Sequence, residues 1–284
     1  MSAGKNLAMA FVAAVFAALL AGCVVFAAKE RRVPAFSRGV LLMTFDDRNW
    51  ERWVKAIPLF GKYGAHASFF PHGPLDARAL ECMKALHDAG HTVGPHTLHH
   101  ADATNYFAKA GGERYWLDEV KPQMDMFASV GIVPVAMAYP NNRHSAETDL
   151  FLSGKGIRRF RCGQRRHWAP NRGPNPTSHA AVDEAFSPAA EFRSLVAVEA
   201  FGVGERYGTD IDDLLLAIDR AAERNEVFAI YSHDIAPGAK SINMKLEWLE
   251  RILARAKERG VAMLGMAEFP PPAAEGPTKK GEAR

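Results

Sequence analysis

The chain has 284 residues, 48% of them hydrophobic, and a formal net charge of +3. That length supplies one large domain with a real core, and the near-neutral balance argues for neither nucleic acid nor an acidic partner. The three cysteines include no Cys-x-x-Cys pair, which excludes a zinc-finger framework and a disulfide-dense scaffold.

At the N-terminus, Lys5 precedes an unbroken apolar run from Leu7 to Ala28. A short basic region before an apolar stretch reads as an export signal. Within the run, Leu20-Ala21-Gly22-Cys23 resembles a bacterial lipobox, in which the cysteine is lipidated. Twenty-two apolar residues also suffice for an uncleaved membrane anchor. An ordinary cleaved signal is the third reading. All three export the domain and set residues 1–28 apart from the fold.

Short apolar runs follow at 39–45, 67–70, 92–93, 133–138, 157–160, 195–198, 227–231 and 261–264, most of strand length and bounded by glycine, proline or polar residues. Helical patterns lie between them: Asp76 to Ala89, stopped by Gly90; Glu113 to Val130, before Gly131; Asp210 to Arg224; and a helix capped by Ser241, with Ile242, Leu246, Leu249 and Leu253 on one face and Gly260 as its stop. Alternation of near-continuously apolar strands with helices predicts an α/β fold with a parallel sheet, in the form of a (β/α) barrel. The stretch 161–193 is rich in Pro, Arg and Asn and reads as a long loop. Its basic residues (Arg158, Arg159, Arg161, Arg165, Arg166 and His167) suit either a solvated loop or a rim that meets an anionic surface. From Pro270 to Arg284 the Pro-rich, Lys-bearing tail is expected to be disordered, leaving residues 36–269 as the catalytic domain.

The reactive residues fall at the carboxyl ends of these strands, where barrel active sites are built. Asp46 and Asp47 end the first, His96 and His100 follow the third, Tyr139-Pro140 follows the fourth, and Ser232-His233-Asp234 follows the run 227–231. One carboxylate with two histidines four apart is a mononuclear metal set with nitrogen and oxygen ligands. The remaining carboxylate is a candidate general base, and His233 can supply a proton to a leaving group. Successive strand residues face opposite ways, so the strand has to end at the Asp pair for one carboxylate to bind an ion and the other to stand beside it. Thr97 could orient one imidazole. Each feature alone has a structural alternative: a helix N-cap near Asn49, a satisfied histidine cluster, a buried structural histidine. His91 reads as structural, and His72 and His144 as unremarkable.

Together these residues resemble the polysaccharide deacetylase family, the nodulation-type carbohydrate esterases. Its first motif stands at Thr44-Phe45-Asp46-Asp47, its second at His96-Thr97-Leu98-His99-His100, and its last at Ile230-Tyr231-Ser232-His233-Asp234. The resemblance implies a distorted (β/α) barrel of about seven strands acting on an acetylated polysaccharide of the cell envelope. It implies Asp47, His96 and His100 as ligands of a divalent metal, usually zinc, Asp46 as catalytic base and His233 as acid. The third motif would supply the oxyanion and substrate contacts at Tyr139, Pro140 and Asn141, the backbone N–H of Asn141 holding the oxyanion. Two departures stand out. The family's arginine, two residues before the motif proline, is replaced by Ala138, with Arg143 and Arg48 as candidate substitutes. The acid that tunes the histidine has only Glu199, Asp210 and Asp213 as candidates. Trp168 and Tyr139 are candidate sugar-stacking aromatics. Hydrolysis of another C–N bond, of the cyclic amide type, and non-catalytic glycan binding on a decayed site are the competing readings.

Overall fold

A computed structural model describes residues 39–163, 185–191 and 195–269. The apolar leader with Cys23, the tail after Phe269, and most of the Arg-rich stretch, with His167 and Trp168, lie outside the described residues. Among the described residues no helix is long and apolar enough to cross a membrane.

Eleven strands are described, in chain order: β1 (Val40–Asp47), β2 (Ser68–Pro71), β3 (Thr92–Val93), β4 (Ala136–Ala138), β5 (Arg159–Gly163), β6 (Phe186–Pro188), β7 (Ala197–Gly202), β8 (Glu226–Ser232), β9 (Ile235–Ala236), β10 (Met244–Lys245) and β11 (Ala262–Leu264). Seven of them follow one another around the sheet in the order β3-β2-β1-β8-β7-β5-β4, all neighbours parallel. One edge of β1 is shared: Val40 to Leu42 pair with β11, and Thr44 to Asp47 pair with β2. β6 lies antiparallel on the lower part of β8. The sheet curls into a nearly closed barrel. The Ala138 N–H donates to the Pro95 carbonyl at 3.2 Å across the gap between β3 and β4. Gly94 makes this approach possible, since a Cβ there would sit 2.0 Å from the Ala136 carbonyl oxygen.

Strand alternation sorts the core. Leu41, Met43 and Phe45 of β1 pack outward among the helices, while Val40 and Leu42 share the interior with Ala136, Ala138, Val198, Ala200 and Ala229. On that alternation Asp46 faces the interior.

The helices are α1 (Trp50–Tyr63), α2 (Ala77–Asp88), α3 (Ala103–Ala110), α4 (Gly112–Tyr115), α5 (Lys121–Ser129), α6 (Ala146–Gly154), α7 (Ile211–Arg224) and α8 (Leu246–Arg259). Asp76 and Asp210 cap α2 and α7 through their carboxylates, as those sequences anticipate. Two expectations change. The helix expected over 113–130 is divided, a π-helical turn at Trp116–Val120 joining α4 to α5. The helix expected from Ser241 starts at Leu246 instead. The preceding segment is drawn to the loop after β8: Ser232 Oγ donates to the Ile242 carbonyl at 3.0 Å, the Met244 N–H donates to the Asp234 carbonyl at 2.8 Å, and β10 pairs with β9. Cys82 and Cys162 are both free and buried, in separate clusters.

Candidate metal centre

The Asp pair splits at the end of β1. Asp46 keeps the strand conformation and is buried, while Asp47 has φ 82° and its side chain is partly exposed. A positive φ at a non-glycine residue is costly, and here it turns the Asp47 carboxylate toward the same space as Asp46. Neither caps α1, whose N-cap, Asn49, makes no side-chain capping bond.

His96 and His100 sit on a loop rather than a helical turn. Thr97 and His100 take positive φ values of 68° and 57°, bringing the two rings to 4.9 Å between centroids in an edge-on arrangement. His96 Nδ1 donates to the Ala138 carbonyl at 2.8 Å, which leaves Nε2 unprotonated and facing Asp47. Burial, reinforced by the nearby charges of Arg161 and His100, holds the His96 imidazole well below its ordinary value. Asp47 Oδ1 lies 4.0 Å from His96 Nε2 and 3.9 Å from His100 Nε2. Three donor atoms so spaced need to close in only slightly to hold one small divalent ion, whose bonds run about 2.0–2.2 Å. Thr97 does not orient an imidazole; its Oγ1 accepts from the Ala101 N–H at 3.1 Å and closes the loop.

Two residues that sequence reasoning passed over fix this loop. Gln123 is fully buried: its Oε1 accepts from the His96 N–H at 3.0 Å, and its Nε2 donates to the carbonyls of Pro71 and Gly73. Glu119, one turn earlier at the π-helical widening, accepts from the His99 N–H at 2.9 Å and contacts His99 Nδ1 at 3.0 Å. Polar residues four apart on the buried stripe of a predicted helix were the available signal. His99 is thus a loop anchor. His91, also structural as expected, uses Nδ1 to accept the Ala67 N–H, and burial pushes it down to about 4. His72, by contrast, belongs to the site's edge, 4.0 Å from Asp47 and 5.2 Å from the His100 ring.

The guanidinium that meets Asp46 comes from neither Arg143 nor Arg48. Arg161 of β5, fully buried, pairs with Asp46 Oδ2, lies over the Tyr231 ring, and donates to the Asn142 side chain. Asn142 fits there because β5 continues with Gly163, where any Cβ would come within 2.3 Å of the Asn142 amide. β5 pairs with β4 so that Arg161 stands directly opposite Ala138. The charge has therefore moved one strand sideways from the position where the family carries it. Asp46 Oδ1 is buried without a hydrogen-bond partner among the described residues, a lone-pair acceptor beside the three-donor cluster. Arg159 and Arg161, read from sequence as part of a basic loop, are strand residues inside the barrel.

His233 ends the site on the opposite wall. Its Nδ1 donates to the Ile242 carbonyl at 3.1 Å and its Nε2 points at Asp47 Oδ2, 3.7 Å away. Trp53 of α1 holds its carbonyl through Nε1 at 2.8 Å. A backbone carbonyl thus occupies the place expected for a tuning acid. Glu199 approaches His144, and Asp210 caps α7. Asp234 pairs with Arg52.

Asp46, Asp47, His96, His100, His233 and Ile242 line a cleft of about 600 Å³, with Asp102, Asn141, Asn142, Arg143, Arg206, Tyr207 and Tyr231 forming most of the rest of its wall. Asn141 and Asn142 have φ of 53° and 55°, so five non-glycine residues around one cleft hold left-handed backbone. Tyr139 also borders the cleft, yet its ring is fully buried and stacked on Phe160, 5.1 Å between centroids, which removes it as a sugar platform.

The curled parallel sheet carries two carboxylates and three histidines at its carboxyl end, where barrel active sites are built. Residues 34–158 match the family model described as polysaccharide deacetylase. The fold is that of solved family 4 carbohydrate esterases. It is similar to the enzyme from Streptomyces lividans solved with acetate (17% identity, 80% of this chain and 92% of that one, TM-score 0.51). It is similar as well to an esterase of this family from Streptococcus mutans (18% identity, 86% and 92%, TM-score 0.51). A third similar structure is the Bc1960 peptidoglycan N-acetylglucosamine deacetylase (14% identity, 82% and 89%, TM-score 0.53). No curated protein sequence matches the chain.

Proposed function

We propose that this protein is a metal-dependent deacetylase of an N- or O-acetylated polysaccharide at the cell envelope. The observation that carries the proposal is the convergence of Asp47, His96 and His100 on one point beside an Asp46 carboxylate locked by Arg161. In this reading Asp47, His96 and His100 hold a divalent cation, most often Zn2+. When bound, that ion would acidify water and polarise the acetyl carbonyl.

The chain's own residues do the rest. Asp46 Oδ1 accepts the proton of the attacking water. Arg161 keeps the other carboxylate oxygen occupied, so that the base presents one oxygen in one orientation. Asn141 lines the cleft, and in this reading its backbone N–H would receive the developing oxyanion. His233, its Nδ1 fixed on the Ile242 carbonyl, delivers a proton from Nε2 to the departing nitrogen or oxygen. The pairing of Asp46 weakens the decayed-site reading, which rested on a missing arginine together with a missing tuning acid. Peptidoglycan is one candidate substrate, being the one named for a structure of similar fold. Anchoring through residues 1–28, with Cys23 lipidated, would place the domain at that substrate.

The test is metal analysis of the purified full chain, followed by acetate release across a panel of acetylated glycans with zinc or cobalt added. One bound ion in the cleft and metal-dependent acetate release are expected. A chain that holds no divalent ion and releases no acetate with either metal refutes the proposal.

A further inference from the structure

Behind the cleft, on the outer face of the barrel, a second set of metal-ligating groups converges. Cys162 follows Arg161 on β5 and points the opposite way, into the cluster with Tyr139 and Phe160. Glu199 of β7 stands opposite it in register. His144, in the connection between Pro140–Asn142 and α6, brings Nε2 to 3.4 Å from Glu199 Oε1. One ligand atom from each of His144, Cys162 and Glu199 falls within 4.8 Å of the others. Asp149, on the first turn of α6, takes His144 Nδ1 at 3.0 Å. The helix start that sets Asp149 is fixed by a Ser145–Thr148 capping box, and the Tyr139 ring stacks beneath the imidazole at 5.6 Å.

We propose that His144, Cys162 and Glu199 form a second metal site, for a borderline divalent cation such as Zn2+, with Asp149 orienting the histidine. Sulfur, nitrogen and a single carboxylate are a zinc set and not a magnesium or calcium set. A carboxylate on the far nitrogen of a ligating histidine is the usual outer support of such sites. Three protein ligands leave a fourth position for water on the Glu199 side, where the carboxylate is 42% exposed and gives an entry path. Cysteine, histidine and aspartate in this order also resemble a thiol nucleophile triad. The sulfur of a fully buried Cys162, pushed up to about 11 by burial, reaches no substrate. A buried sulfur is no obstacle to a ligand.

The charges balance. Without metal, His144 lies between the carboxylates of Asp149 and Glu199. A bound ion would displace the Cys162 thiol proton and any proton on His144 Nε2 to solvent, while Nδ1–H stays on Asp149. The dication would then be met by one thiolate and one carboxylate.

The test uses the full chain, stripped with a chelator and titrated with Co2+. Two ions per chain and a thiolate-to-cobalt charge-transfer absorption are expected. Cys162→Ser should abolish that absorption and lower the stoichiometry by one. His96→Ala/His100→Ala should keep the absorption while losing the cleft ion. Glu199→Gln, at a partly exposed position that folding tolerates, should keep the absorption and weaken the affinity about 10–100-fold. Absence of the thiolate absorption at saturating Co2+ overturns the site, as does its persistence in Cys162→Ser. The two proposals separate cleanly: the thiolate absorption without acetate release leaves this site standing and removes the deacetylase reading.

Discussion

The two halves of the barrel reach the same cleft by different routes. From β1 to the loop after β3, the chain carries its chemistry in contiguous motifs, Thr44–Asp47 and His96–His100, and a family model matches residues 34–158. From β5 onward the corresponding supports are dispersed. Asp46 is held by Arg161 on β5 rather than by an arginine at position 138, and His233 is oriented by the Ile242 carbonyl rather than by a carboxylate. In the proposed reading the first half supplies the reacting groups, whose identity is fixed by chemistry. The second supplies positioning groups, which can move to any neighbouring strand that delivers the same charge to the same atom. Ala138 and Arg161 are direct partners in register, so a lateral move of one strand preserves the interaction.

That contrast predicts a graded series. Asp46→Asn should retain the metal and lose about 10²–10⁴-fold in turnover, whereas Asp47→Asn should lose metal affinity, both measured by metal content and acetate release. Equal metal affinity in the two variants would reverse their roles. Arg161→Met leaves Asp46 buried without its partner and should cost about 3–5 kcal/mol in denaturant unfolding together with most of the turnover. The double variant Arg161→Met/Asp46→Leu should regain much of that stability but no activity. Gln123→Ala, which frees the backbone of His96, should reduce metal affinity about 10–100-fold, read by chelator competition, with Asp46 untouched.

A stability readout, with no expected effect on the cleft, separates the structural His91 from the histidines that line it. His91 is held at about 4, below the ordinary 6.5, by burial and by the proximity of His66. Its contribution to stability is fully present above pH 6.5 and is lost as pH falls through about 4, because the unfolded chain takes up the proton first. His91→Gln should flatten that part of the stability profile by up to roughly 3 kcal/mol without altering metal content. An unchanged slope would mean that other groups carry the acid sensitivity.

The sequence made the strands legible because each is an apolar run broken by turn residues, and it exposed the reacting groups because they sit where those runs end. Burial of polar residues was harder to see. Arg159 and Arg161 lie next to Arg165 and Arg166, so composition drew them into a basic loop, although their two-residue spacing on the run 157–163 is that of one strand face. Glu119 and Gln123 were concealed for a related reason: a helix pattern reports its apolar stripe, while these two occupy that stripe to serve backbone amides of a loop distant in sequence. The start of α8 was misplaced because Ser241 is a good cap in isolation, and only the loop after β8 shows what competes for residues 242–245.

The most direct test of the account is acetate release by three metal-loaded proteins: the parent chain, Arg161→Ala, and Arg161→Ala combined with Ala138→Arg, which returns the guanidinium to the strand where the family keeps it. The account predicts a loss of at least about 10²-fold in kcat for the single variant, with metal content unchanged, and recovery of part of that loss in the double variant. A folded Arg161→Ala protein that turns over at the parent rate would contradict it.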